Sequence, residues 1–75
     1  MKTAKEMFEE LGYEDVGDDE FKTMYSNGDY TNHRTIIFWK RWKQISINFD
    51  ENDATIYFRE LQAINKQVEE LGWNE

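Results

Sequence analysis

Two five-residue strings, Glu9-Glu10-Leu11-Gly12-Tyr13 and Glu69-Glu70-Leu71-Gly72-Trp73, constrain this chain more than any other feature in it. A glycine directly after an apolar helical stripe takes the left-handed conformation at the C′ position without a Cβ clash. An apolar residue one place later packs back on the last turn. Each string therefore predicts a helix end, with Tyr13 on Phe8 and Trp73 on Val68. Upstream of the first, Thr3-Ala4-Lys5-Glu6 has the spacing of a capping box, and Ala4, Met7, Phe8 and Leu11 recur at helical intervals. Leu61, Ile64, Val68 and Leu71 make the equivalent stripe before the second. Nothing else in the two halves matches, so one stop signal is used twice and the chain is not a repeat.

Between these helices the hydrophobic period shortens. Residues 21–25 read as a strand, and Asn27-Gly28 has the chemistry of a tight turn. Residues 35–39 are β-branched and aromatic, and in residues 44–49 Ile45, Ile47 and Phe49 alternate. Asp50-Glu51-Asn52-Asp53 is a turn cluster, and residues 55–57 read as a short strand leading into the last helix. Parallel crossovers need a dozen or more residues, and these connections are shorter. The predicted architecture is α+β: an N-terminal helix, a four-stranded antiparallel meander and a C-terminal helix, both helices on one face of the sheet (α-β-β-β-β-α). One register question stays open. A four-residue loop at 40–43 pairs Phe38 with Ile45, whereas a three-residue loop pairs Trp39 with Ile45 and changes the core face.

At 75 residues the chain has room for a single domain, residues 1–75, with a modest core. Three Trp, five Phe and four Tyr supply large buried areas that offset the small size. The absence of cysteine excludes disulfides, thiolate metal sites and a Cys nucleophile. No run approaches the length of a membrane span, and residues 1–6 lack the apolar core of a signal peptide. The expectation is a cytoplasmic, soluble protein with no membrane partner. Formal charge is −7, which opposes generic binding to nucleic acid. The distribution is uneven, however. Residues 31–49 hold no acid, and Arg34, Lys40, Arg41 and Lys43 give them +4, leaving −11 on the rest.

Met7-Phe8, Leu11-Gly12-Tyr13-Glu14, Glu60-Leu61-Gln62-Ala63-Ile64 and Glu70-Leu71-Gly72-Trp73 together resemble a group of small proteins encoded by phages, prophages and mobile elements of low-GC Gram-positive bacteria. The likeness covers both helices and the general strand spacing. It implies an accessory protein of phage or prophage type and carries over no catalytic residue. In that group the middle hairpin loop is commonly polar; here it holds Trp39 and Trp42 among basic residues.

Catalytic chemistry finds little support. His33, the only histidine, stands between Asn32 and Arg34 with no Ser or Asp motif to position it as a base, and reads as a solvated strand-edge or turn residue. The four glycines are isolated, so a phosphate-binding loop is missing. The acidic runs Glu14-Asp15, Asp18-Asp19-Glu20 and 50–53 lack the spacing and closing glutamate of a calcium loop and read as solvated loops. No cofactor, metal or catalytic residue is assigned, and the expectation is a non-enzyme.

Two surfaces are candidates for interaction. Trp39, Lys40, Arg41, Trp42 and Lys43 interleave cations with rings, a pattern suited to an acidic protein surface or to single-stranded nucleic acid. Its competing reading turns one Trp into the core and leaves the cations to solubilise the turn. The second is an acidic patch of Glu9, Glu10, Glu14, Asp15, Glu69 and Glu70. The paired glutamates stand at the helix C-termini, against the helix dipole. If the two helix ends lie on the same side they merge into one negative patch, suited to a basic partner; otherwise they are ordinary solubilising charge. An unidentified protein is the leading partner, nucleic acid the alternative, and self-association of the basic hairpin with the acidic end a third.

Overall fold

The computed structural model describes residues 1–28, 33–49 and 55–74. Helix α1 spans Ala4–Glu10 and α2 spans Phe58–Glu70. At the start of α1 the Glu6 N–H donates to Thr3 Oγ1 (3.2 Å), and the Thr3 N–H donates to the Glu6 carboxylate (3.1 Å), the reciprocal box that the sequence predicts. At the start of α2 the Tyr57 N–H donates to Glu60 at 2.7 Å. Both helices stop at a complete Schellman motif. Tyr13 N–H donates to Phe8 O and Gly12 N–H to Glu9 O; Trp73 N–H donates to Val68 O and Gly72 N–H to Glu69 O. Gly12 and Gly72 take φ of 91° and 75°, where a side chain would be strained.

Four strands form one open antiparallel sheet in the order β1-β2-β3-β4: Glu14–Asp18, Lys22–Gly28, His33–Trp39 and Gln44–Phe49. The predicted α-β-β-β-β-α meander is the observed fold, but one strand is a different segment. Residues 14–18, read as part of the solvated acidic sequence, form β1, because backbone pairing with β2 supplies the order that their weak strand propensity does not. Residues 55–57 carry no strand; there the chain is anchored instead by Arg34, whose guanidinium donates to Thr55 O at 2.8 Å. Asn27-Gly28 likewise continues β2, opposite Arg34 and His33, rather than turning. The Asn27 amide reaches back to the Leu11 carbonyl at 3.3 Å, tying the strand to the end of α1. The expected turn at 50–53 lies outside the described residues.

Register in the last hairpin follows the four-residue loop, with Phe38 opposite Ile45 and Trp39 opposite Gln44. One sheet face therefore carries Thr23, Tyr25, Ile36 and Phe38, all buried beneath the helices with Phe8, Tyr13, Ala63 and Ile64. Tyr25 stacks on Phe8 at 4.2 Å between centroids, while Phe8–Tyr13 and Tyr25–Phe38 meet edge to face. Trp73 lies 6.3 Å from Phe38, so this ring adds to the core beyond its local role at the helix stop.

The helices run antiparallel. The Ala4 N–H at the start of α1 donates to Glu70 near the end of α2 (2.8 Å), while Tyr13, just after α1, donates its hydroxyl proton to Glu60 in the first turn of α2 (2.5 Å). Glu60 also pairs with Arg34 at 3.0 Å, both side chains nearly fully buried. Arg34 lies over the Phe49 ring at 3.7 Å. A buried charge is tolerated only when paired and hydrogen-bonded, and this network meets both conditions.

Candidate functional site

The alternation that buries Tyr25, Ile36 and Phe38 sends Lys22, Met24, Ile37 and Trp39 to the other face, which no helix of the described residues covers. Neither hairpin tryptophan enters the core. Trp39 is half-buried on this open face, its indole N–H donating to Ser46 Oγ at 2.9 Å. Trp42, in the 40–43 turn, is 60% exposed. The two rings meet edge to face at 6.5 Å, Lys22 Nζ stands 5.5 Å from the Trp39 centroid, and Arg41 Cζ 5.7 Å from that of Trp42. Lys43 takes a positive φ of 52°, which closes the turn.

The four cations near these rings are not equivalent. Lys40 pairs with Asp18 at 2.9 Å, donates to Asp19 O and sends its backbone N–H to Phe21 O. It fastens the hairpin to the β1–β2 turn and spends its charge there; the same contact holds the Asp18 carboxyl below its usual range, with help from Thr23. Lys22, Arg41 and Lys43 form no ion pair among the described residues. The candidate surface retains Trp39, Trp42, Arg41 and Lys43, gains Lys22 and Met24 from the β2–β3 register, and loses Lys40 to a supporting role.

The acidic residues divide. Because α1 and α2 are antiparallel, Glu9 and Glu10 end one helix where the other begins, and Glu69 and Glu70 do the converse. The condition for a merged end patch is not met in that simple form. Glu70 is consumed at the N-terminus of α1, and Glu10 pairs with Lys2. Tyr25 is buried beneath the helices and donates its hydroxyl proton to Gln67 at 2.6 Å. Burial, followed by the charges of Asp15, Glu70, Asp18 and Glu9, pushes its hydroxyl far above the normal tyrosine range. Glu14 and Asp15 lie on β1, paired opposite Ser26 and Tyr25.

Other features offer less chemistry. His33 is exposed at the start of β3, with a ring nitrogen 3.1 Å from Ser26 Oγ. A cleft between the helices, lined by Met1, Met7, Leu11, Lys2, Arg59 and Lys66, is open and mixed in polarity. No group of three or more acids or histidines among the described residues is placed to hold a metal, and no helix there is long and apolar enough to cross a membrane. Sequence reasoning missed the Tyr13–Arg34–Glu60 network. Its one local sign is Glu60, three residues after Tyr57, at the position of a capping glutamate. Comparisons with protein-family models, curated proteins and solved structures gave no match.

Proposed function

We propose that this chain is a non-enzymatic accessory protein, of phage or prophage type, that acts by protein–protein interaction through the β3–β4 hairpin. The supporting observation is the placement of Trp39 and Trp42 together outside the core, beside Lys22, Arg41 and Lys43. An exposed ring such as Trp42, with half-buried Trp39 beside it, is costly in water unless something covers it. Trp and Arg also carry a large share of binding energy in protein interfaces. The Trp39–Ser46 hydrogen bond and the ring-on-ring contact hold the surface in place before binding, which lowers the ordering cost. Three cations around two rings, with no ion pair among the described residues, fit an acidic partner surface. The phage assignment rests on the resemblance of the two helices and the general strand spacing alone.

A pull-down from host lysate with wild type and Trp39→Ala/Trp42→Ala tests the reading. The expected result is a partner retained by wild type and lost by a variant whose circular dichroism is unchanged. Identical partner profiles from the two proteins would remove the hairpin from the function.

A second reading is single-stranded nucleic-acid binding, favoured by rings and cations sharing an uncovered sheet face where bases could stack. It predicts low-salt binding of oligonucleotides that weakens steeply as salt is added and is lost in Arg41→Ala/Lys43→Ala. Absence of binding at low salt eliminates it.

A further inference from the structure

The sheet has two edges, and their chemistry differs. Edge strand β1 carries Glu14, Asp15 and Asp18 and breaks register between Asp15 and Gly17. Charge and a bulge at an edge are the devices by which proteins prevent strand addition. Edge strand β4, Gln44–Phe49, has no charge and pairs regularly with β3 along its length. On its helix-side face Ile45 and Ile47 are each 37% exposed. Leu61 on α2 is 39% exposed and Tyr57, which with Phe49 flanks the Arg34 guanidinium, is 71% exposed. Among the described residues this edge carries neither device, and its helix-side face shows exposed apolar side chains.

We infer that β4 pairs antiparallel with β4 of a second copy of this chain, joining two four-stranded sheets into one of eight about a two-fold axis at Ile47. The sequence of β4 is self-complementary in this register. Ile47 faces its own copy, Ile45 faces Phe49 of the other chain, and Ser46 faces Asn48. Apolar residues therefore meet on the helix side and polar residues on the other, with no like charges directly opposed within the strand pair. A strand pair of this length is smaller than a stable interface; Tyr57, beside Phe49 at the Arg34 guanidinium, supplies further exposed apolar area at the end of β4. The two bodies each carry −7, so their long-range repulsion opposes association and salt relieves it. Dimerisation through β4 is consequently strengthened by salt. Docking of a basic hairpin on an acidic end would weaken instead. The proposal does not depend on the hairpin's partner, because the Trp39 and Trp42 rings are not part of it.

Sedimentation equilibrium on the full chain at low and high salt tests the inference. Wild type is expected to show doubled mass, favoured by salt; Ile47→Lys, which sets like charges face to face on the axis, is expected to be monomeric at the same concentrations. Trp39→Ala/Trp42→Ala should keep the wild-type mass. The native chain has no cysteine, so a crosslink supplies a second reading that does not require tolerance of lysine. Directly opposed residues in an antiparallel pair lie within disulfide range. Oxidised Ile47→Cys is expected to run as a covalent dimer without reductant, and Ile45→Cys, displaced from its own copy, as a monomer. Wild type that stays monomeric at both salts, a dimer dispersed by salt, or equal crosslinking at 45 and 47 would each overturn the proposal.

Discussion

At the residue scale, the decisive side chain is Arg34. It stands on the helix-side face of β3, opposite Phe49, where the alternation calls for an apolar group. Its charge is sustained by Glu60, by Thr55 O and by the Tyr13 hydroxyl at 3.4 Å. Removing one member strands the others, so Glu60→Ala should cost about 3–5 kcal/mol in urea unfolding. Replacing the set with apolar groups, as in Tyr13→Phe/Arg34→Met/Glu60→Met, should recover much of that loss. Tyr13 adds a pH signature. Burial and its bond to Glu60 push the hydroxyl from 10.0 up to about 12. The unfolded chain therefore loses this proton first as pH rises, and stability present below about pH 10 drains away towards pH 12. Tyr13→Phe should flatten the alkaline limb of a stability–pH curve; an unchanged limb would discount the assignment. Beyond the capping position of Glu60, no local pattern marks this network, because its members lie 21, 26 and 47 residues apart and meet only once the sheet has formed.

Elements were more legible where the signal was local. The Thr3–Glu6 box and the Gly12-Tyr13 and Gly72-Trp73 stops each act within a few residues, and each forms as read. The paired glutamates before the stops look misplaced because the reading considers only their own helix. Glu70 is at the wrong end of α2 but at the right end of α1: it accepts the Ala4 N–H and sits at that helix's positive terminus. Among the described residues the Glu69 side chain, itself exposed, makes a single long pairing with Lys66 at 3.5 Å. Glu70→Ala is therefore expected to destabilise the fold by about 1 kcal/mol, whereas Glu69→Ala should stay within about 0.5 kcal/mol of wild type. Thermal unfolding of the two variants checks the ordering; equal effects would mean that Glu70 acts only through its charge. Strand β1 was illegible for the complementary reason. Its acids have no strand preference of their own, and only the neighbouring strand selects their conformation.

For the whole molecule, the sheet divides labour between its faces. The helix side holds the aromatic core, and the other side displays Trp39 with Met24 and Ile37. Sequence periodicity announced the alternation but not which face was covered, because both faces of β3 are apolar and only the four-residue loop decides the register. The consequence is a sharp difference among the three tryptophans. Trp73 closes α2 and packs against the Phe38 side of the sheet, so truncating it opens a gap in the core. Trp73→Ala should lower stability by roughly 2–3 kcal/mol, below the range for a fully buried ring because Trp73 is partly exposed. Trp42→Ala removes an exposed ring and should change stability by less than about 0.5 kcal/mol. Trp39→Ala falls between them, since its ring is half-buried and its indole bonds to Ser46. Urea midpoints measured side by side decide the matter. If Trp42 proves as costly as Trp73, the hairpin tip is part of the structural core, and its rings are spoken for before any partner arrives. With the predicted order, the Trp42 ring contributes little that folding requires, and its exposure calls for a partner.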